Sequence, residues 1–182
     1  MNGVPQAAEK YELLCRSYPE VDEYKFYYAQ SLYKAALYEQ ATRACTWIEN
    51  ETYRQRKLNL QAAIEYEQDD LVGCKAHLDQ CIPDDPDTVV GLGAVLFKEG
   101  DFEAARDRFA QAKDALGYHP ELAYNIALCH YRMKQYGPAM KYIADIIEKG
   151  VREHPELSVG SNTEGIDVRS VGNSSVLKQT AL

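Results

Sequence analysis

The chain has 182 residues, of which 46% are hydrophobic and 26% are charged, and its net charge is −8. A nucleic-acid-binding surface normally carries a basic excess, so this acidic balance argues against DNA or RNA as a partner. Apolar runs stay well below the length that spans a bilayer, and the first residues lack the regions of a secretion signal, so we expect no membrane partner.

Eight helices are predicted in consecutive pairs, separated by turns that contain proline, glycine and aspartate. Pro83 to Pro86 and His119-Pro120 lie between pairs, and Gly100-Asp101 lies inside one. The acidic residues Asp84 and Asp85 are interpreted as a helix cap rather than a metal site. The predicted helices are 22–36 and 39–50, 55–67 and 70–82, 86–99 and 102–116, and 120–133 and 136–149.

These pairs repeat one pattern of small and apolar residues with a period close to 34. The small residue of each second helix recurs at spacings of 33, 31 and 34, at Ala41, Cys74, Ala105 and Ala139. The close-contact position of each first helix holds Ala29, Ala62, Gly93 and Ala127. An apolar plug opens each second helix, at Tyr38, Leu71, Phe102 and Tyr136. This signature is typical of tetratricopeptide (TPR) repeats, so we predict an all-α TPR solenoid of antiparallel helix pairs, with repeats at 22–50, 55–82, 86–116 and 120–149.

Both ends continue the pattern only in part. Ala7, Tyr11 and Leu14 occupy second-helix positions one repeat before the first complete pair, so a leading half repeat is expected over 4–18 within an array over 1–150. Residues 151–182 are polar and predict a linker or tail, in which Val176 to Leu182 begin a further helix. Because a half repeat exposes apolar surface, we expect either an internal piece of a longer solenoid or a partner that covers this end, with self-association through the ends as one alternative.

The sequence offers no pattern of a catalytic or metal site. The five cysteines contain no Cys-x-x-Cys pair and are interpreted as reduced, buried apolar residues. The four histidines include no pair at metal-binding helical spacing, and His130 takes a packing position equivalent to Leu32. A phosphate-binding loop and a nucleophile elbow are also missing. We therefore expect no catalytic residue, no metal and no cofactor, and we predict that the chain is not an enzyme.

The register assigns a concave groove, because the first helix of each TPR pair lines that surface. Four aromatic residues hold equivalent groove positions, namely Tyr33, Tyr66, Phe97 and Tyr131. The other predicted groove residues are Phe26, Tyr27, Gln30, Asn59, Val90, Tyr124, Asn125 and Leu128. Tyrosine rings supply contact area with a polar tip, and aromatic grooves suit extended, proline-rich segments. For each single ring, simple packing between neighbouring repeats stays open as an alternative.

A second hypothesis is a TPR co-chaperone-type adaptor that binds acidic C-terminal peptides. Such domains hold the terminal carboxylate with lysine and asparagine side chains on adjacent groove helices. Phe26 and Gln30 stand where a lysine and an asparagine are expected, so the sequence favours an extended segment over a charge clamp.

Several strings resemble one family more closely than TPR proteins in general. They are 28–35 (YAQSLYKA), 97–105 (FKEGDFEAA), 124–128 (YNIAL), 146–150 (IIEKG) and 163–173 (TEGIDVRSVGN). The last string has no role in TPR packing. Over residues 8–182 the chain resembles an N-terminal-proximal portion of the tetratricopeptide-repeat subunit of the intraflagellar transport B complex, the tetratricopeptide repeat protein thirty family.

The resemblance implies a non-enzymatic scaffold of intraflagellar transport, located in the cilium or flagellum and in the cytoplasm. It also implies a TPR superhelix that binds a proline-rich segment of another B-complex subunit and supports cilium assembly and tubulin polyglutamylation. The groove residues would then contact that segment, with Tyr33, Tyr66, Phe97 and Tyr131 as anchors.

Overall fold

The structure of the chain is a computed structural model that describes residues 3–155. Within that range the chain forms nine α-helices and one short 3-10 turn, which confirms the predicted all-α class. Contacts within the chain divide it into two compact units, Met1–Val95 and Leu96–Leu182. The predicted helix at Val176 to Leu182 and the string at 163–173 lie outside the described residues.

The first unit begins with a single helix before the first helix pair. Its elements are α1 (Gly3–Ser17), α2 (Asp22–Lys34), α3 (Tyr38–Cys45), the 3-10 turn (Glu51–Tyr53), α4 (Arg54–Glu67), α5 (Leu71–Leu78) and most of α6 (Pro86–Glu99). The helices α1 and α2, α2 and α3, and α4 and α5 pack against each other.

Two second helices are shorter than predicted, and side chains from elsewhere in the unit explain where they stop. The helix α3 ends at Cys45 instead of residue 50, because Asp22 takes the backbone N–H groups of Glu49 and Asn50. The helix α5 ends at Leu78 instead of residue 82, and the backbone N–H of Ile82 donates to Gln55. In both cases, a side-chain oxygen distant in sequence replaces the backbone carbonyl that would accept this N–H group if the helix continued.

The second unit contains the end of α6, then α7 (Phe102–Leu116), α8 (Pro120–Arg132) and α9 (Tyr136–Glu153). The helix α7 ends at Leu116, and the following Gly117 has a positive φ of +83°, which glycine tolerates better than any other residue. Pro120 occupies the first turn of α8, where its missing N–H costs nothing. The helix α9 continues to Glu153, so the first three residues of the predicted tail are helical.

Burial follows the predicted register. The small residues at the second-helix position are buried in all four repeats, at Ala41, Cys74, Ala105 and Ala139. The first-helix positions Ala29, Ala62, Gly93 and Ala127 are buried as well. Because these side chains are small, the helix axes approach closely, and larger residues such as Ile48, Ile64 and Phe109 fill the space between them. On α9 the matching Ile143 and Ile146 are half-buried.

One tight turn recurs between the two helices of each repeat. One residue in each of the four turns, the first or second after the end of the first helix, has a positive φ, namely Ala36, Asp69, Gly100 and Lys134. The next N–H then reaches back to the last turn of the helix, as in Leu37 N–H to Leu32 O and Asp101 N–H to Leu96 O, both at 3.0 Å. This turn places the plug residue of the second helix directly beside the end of the first helix.

Candidate peptide-binding surfaces

Aromatic rings pair across this turn in three of the four repeats. The ring centroids lie 6.1 Å apart for Tyr33–Tyr38, 5.2 Å for Phe97–Phe102 and 5.6 Å for Tyr131–Tyr136. Each pair joins the last turn of a first helix to the first residue of the next helix. Three predicted anchors therefore pack against the predicted plug of their own repeat, which fixes the ring while leaving part of its surface accessible.

Tyr33 lies half-buried at the end of α2, where side chains of two repeats meet. Burial raises the pKa of its phenol to about 12, and the neighbouring Glu67 carboxylate, Tyr38 and Tyr66 contribute in the same direction. Glu67 and Tyr66 belong to α4, one repeat later. The phenol of Tyr33 therefore stays protonated at neutral pH and keeps its capacity to donate a hydrogen bond.

A second aromatic cluster lies near the start of α2 and α4. Phe26 is only 4% exposed, and the Arg56 guanidinium lies 4.2 Å above its ring. Tyr27 is half-buried, 5.6 Å from Tyr11 on α1, and the Tyr53 ring completes the cluster. Phe26 thus supports the surface from below, whereas Tyr27 is the predicted groove residue that a ligand would reach.

Asn59 on α4 is engaged in a polar network that the sequence did not indicate. Its Oδ1 accepts from Cys81 Sγ at 3.3 Å and from Thr88 Oγ1 at 3.4 Å, and its Nδ2 donates to Asp85 at 3.4 Å. Gln55 donates to Thr88 Oγ1 at 2.9 Å. This network links α4 to the start of α6, so the amide of Asn59 has an internal role within the first unit.

The network also explains the acidic turn before α6. Asp85 accepts the backbone N–H of Thr88 at 3.2 Å, which makes it the helix cap that was expected. The signal that could have revealed the network is Thr88, a polar residue on an apolar helix face, which is fully buried. The remaining predicted positions of this unit, Gln30, Tyr66 and Val90, are half-buried on α2, α4 and α6.

In the second unit the predicted positions lie on α6 and α8. Tyr124, Asn125 and Leu128 are half-buried, and Tyr131 is 58% exposed. Phe97, at the end of α6, is half-buried against Phe102. Tyr131 is therefore the predicted anchor whose ring is most open to a ligand.

Arg132 contacts the aromatic pair of the preceding repeat. Its guanidinium lies 4.7 Å from the centroid of Phe102 and 5.6 Å from that of Phe97. Such a cation over a ring is attracted by the negative face of the π-system. The stacking of Arg132 and Arg56 on these rings was not predicted from the sequence.

His130, Cys45 and Cys129 are three side chains whose surroundings bear on the sequence-based predictions. His130 was expected in the core like Leu32, but it is half-buried, with Nδ1 2.7 Å from Gln135 Oε1 and its ring stacked on Tyr142. Burial raises the pKa of the Cys45 and Cys129 thiols to about 11. Both thiols therefore stay protonated at neutral pH, unlike those of reactive cysteines.

A shallow cleft of about 350 Å³ opens elsewhere on the first unit, and the sequence did not indicate it. It is lined by Glu12, Cys15, Arg16, Pro19, Lys25 and Trp47. Its two cations are already paired, Arg16 with Glu12 and Lys25 with Asp22.

None of the helices within residues 3–155 has the length and apolar character needed to cross a membrane.

Comparison with known proteins identifies the repeat type. The tetratricopeptide repeat family model matches residues 96–158. Among solved structures, the chain is similar to Cut9 in the APC/C Cut9–Hcn1 hetero-tetramer, with a TM-score of 0.69 and 16% identity over 85% of this chain and 31% of that chain. It is also similar to MamA, with a TM-score of 0.58 and 13% identity over 88% of this chain and 90% of that one. The fold is thus that of TPR proteins.

Curated relatives are far more similar in sequence. Intraflagellar transport protein 70A of Danio rerio is 52% identical over 182 residues, which is 100% of this chain and 28% of the relative. Intraflagellar transport protein 70B of Mus musculus is 50% identical over 186 aligned positions, covering 97% of this chain and 28% of the relative. The chain therefore spans little more than a quarter of the length of these relatives.

Proposed function

We propose that this chain forms part of a non-enzymatic protein-interaction scaffold of intraflagellar transport. The observation that carries the proposal is the 52% identity over all 182 residues to a protein named for that process. An identity of this size over a whole TPR segment extends to surface positions as well as to the core. We place the protein in the cilium or flagellum and in the cytoplasm, as a subunit of the B complex.

The aromatic surfaces would bind an extended, proline-rich segment of another B-complex subunit. Proline rings pack well on half-exposed tyrosine faces, and a preformed extended segment loses little conformational entropy on binding. The rings of Tyr33 and Tyr131 are held in place by Tyr38 and Tyr136. A surface that is ordered before binding avoids the cost of ordering it afterwards. Through this assembly role the chain would support cilium formation and tubulin polyglutamylation.

The carboxylate-clamp alternative receives less support from the side chains. Asn59, one of the few polar residues at the predicted groove positions, is hydrogen-bonded to Asp85, Thr88 and Cys81. An acidic C-terminal peptide would also approach a unit that carries sixteen acidic residues against nine lysines and arginines over residues 1–95. Long-range repulsion therefore disfavours that ligand at the first unit.

The test is affinity capture from a ciliated-cell extract with three proteins. They are the unaltered chain, a Tyr33→Ala, Tyr66→Ala, Tyr131→Ala variant, and a control with Leu13→Ala, Val72→Ala and Ile82→Ala, three residues that are more than 60% exposed. Circular dichroism must first show equal helicity. The proposal expects B-complex subunits with the unaltered chain and the control, and a loss of at least tenfold with the tyrosine variant.

Two results would contradict the proposal. Equal recovery by all three proteins would place the contact away from the tyrosines, and recovery of chaperones alone would favour the clamp. The expected self-association is a separate prediction, which sedimentation velocity at several concentrations tests directly.

A further inference from the structure

An aromatic pair of this kind occurs in both units, but the register position that holds Arg132 in the second unit holds a residue of opposite charge in the first. In the second unit, the Phe97–Phe102 pair is covered by Arg132, with the guanidinium 4.7 Å from the Phe102 centroid. In the first unit, the residue at the register position of Arg132 relative to the Tyr33–Tyr38 pair is Glu67. The second unit therefore supplies its own cation, and the first unit supplies a carboxylate in its place.

The geometry of the two pairs is comparable. The centroids of Tyr33 and Tyr38 lie 6.1 Å apart with an interplanar angle of 49°, and those of Phe97 and Phe102 lie 5.2 Å apart at 62°. Arg132 demonstrates that a ring pair at this turn accepts a guanidinium on its surface. Burial is the main cause of the raised pKa of the Tyr33 phenol, and the negative charge of Glu67 adds to it.

We propose that Tyr33, Tyr38 and Glu67 form a subsite, here called the cation subsite, for one lysine or arginine side chain of the segment bound by the first unit. The inference rests on the proposed function and adds that the bound segment carries a positive charge at one position. The ring faces attract a cation through their quadrupoles, and Glu67 adds an ion pair with the same group.

The charge of the whole unit points in the same direction. Residues 1–95 carry sixteen acidic side chains and nine lysines and arginines, so the field around the unit attracts basic segments. Lys34 is not the counterpart of Arg132 here, because it belongs to the same repeat as Tyr33, whereas the cation over the Phe97–Phe102 pair comes from the next repeat. The place that Arg132 fills in the second unit is therefore assigned to a side chain of the partner.

The test uses three blocked proline peptides that differ only at the central residue, which is lysine, norleucine or glutamate. Norleucine has nearly the shape of lysine without its charge, so the lysine-to-norleucine ratio of affinities isolates the cation. With the unaltered chain, calorimetry should show about tenfold tighter binding of the lysine peptide than of the norleucine peptide. The glutamate peptide should bind more weakly than either.

Variants then assign the preference to the cation subsite. Glu67→Arg places a guanidinium where Arg132 lies in the second unit, and it should abolish the preference for the lysine peptide over the norleucine peptide. Glu67→Gln should reduce the preference in part. The control Glu20→Arg changes the net charge by the same amount at an exposed position in the turn before α2 and should retain the preference.

The outcomes separate the two proposals. If the lysine and norleucine peptides bind the unaltered chain equally, or if Glu67→Arg and Glu20→Arg reduce the preference alike, the cation subsite is wrong and the proline-binding function stands. If none of the peptides binds at concentrations up to about 1 mM, the proposal that this chain binds proline-rich segments is wrong, and the cation subsite is wrong as well.

Discussion

The carboxylate of Asp22 accepts a hydrogen bond from the backbone N–H of Asn50 at 2.6 Å, which ties the start of α2 to the segment that leaves α3. The same oxygen accepts from the N–H of Glu49 at 2.8 Å, and Lys25 donates to the other oxygen at 2.6 Å. Asp22 is only 8% exposed. Burial by itself would raise the pKa of this carboxyl, but the bonds from Lys25, Asn50 and Glu49 outweigh it and lower the pKa below its ordinary value of 3.8.

This lowered pKa predicts a loss of stability in acid. The ionised carboxylate stabilises the folded state fully above the unfolded-state pKa, and the contribution disappears as the pH falls through the lower folded-state pKa, below about pH 4. Asp22→Asn should therefore cost about 1.5–3 kcal/mol at neutral pH and much less near pH 2. Urea unfolding at both pH values measures the difference. A gap of the same size in acid would contradict the assignment, and Glu20→Gln, at an exposed position, serves as the control.

The left-handed residue of each intra-repeat turn predicts two opposite mutational effects. Ala36 has a φ of +58° and Gly100 a φ of +89° at equivalent positions. An L-residue pays about 1 kcal/mol for this conformation, so Ala36→Gly should stabilise the chain by about 0.5–1 kcal/mol and Gly100→Ala should destabilise it by a similar amount.

Gly150 provides the control for this pair of substitutions. It lies within α9, and a Cβ atom there, as at Gly100, would meet no atom within 4 Å. Gly150→Ala should therefore stabilise by about 0.5–1 kcal/mol through helix propensity alone. Thermal unfolding of the three variants tests the set, and a destabilising Gly150→Ala would show that space rather than backbone conformation decides these positions.

The network between α4 and α6 predicts that the folded chain loses stability when the hydroxyl group of Thr88 is replaced by a methyl group. Thr88 is fully buried, and its Oγ1 lies within hydrogen-bond distance of Gln55, Asn59 and Asp85. Thr88→Val keeps the volume but leaves buried polar groups unpaired, which should cost about 1–3 kcal/mol. Denaturant midpoints measure this cost. Thr42→Val, at an exposed position on α3, should change stability by less than about 0.5 kcal/mol.

The stacking of Arg132 predicts a coupling energy with Phe102. A double-mutant cycle with Arg132→Met and Phe102→Leu should give about 0.5–1 kcal/mol, the usual range for a partly exposed cation over a ring. The unfolding free energies of the four proteins supply the cycle. A coupling energy near zero would mean that the guanidinium only covers apolar surface.

The burial of the thiols predicts a graded reactivity. Cys15 is half-buried, whereas Cys45 and Cys129 are fully buried with pKa values raised to about 11. Iodoacetamide at mild alkaline pH should therefore label Cys15 first in the folded chain, and all five thiols only after unfolding. Mass spectrometry of the labelled peptides measures the order. Early labelling of Cys45 would show that the packing around α3 opens readily.

Several features of the site could be read from the repeat register alone. The anchor and plug residues recur at fixed offsets, and the pairs Tyr33–Tyr38 and Phe97–Phe102 meet because both lie beside the same tight turn. The sequence could not assign the contacts between repeats, since these depend on where long side chains turn. The contact of Arg132 with Phe102 and the hydrogen bond from Asn59 to Asp85 are two contacts of this kind.

The sequence by itself determined the helix pairs, because small residues such as Ala29 and Ala41 recur at the points where helices must approach, and a large side chain would force the helices apart there. Only the tertiary structure decided where the second helices end and which polar groups remain for a ligand. Asp22 and Gln55 stop α3 and α5 by accepting N–H groups 27 to 28 positions away in the chain. These acceptors do not recur at a fixed spacing in the sequence. A single carboxylate or amide, positioned by tertiary packing, is enough to replace the next hydrogen bond within the helix.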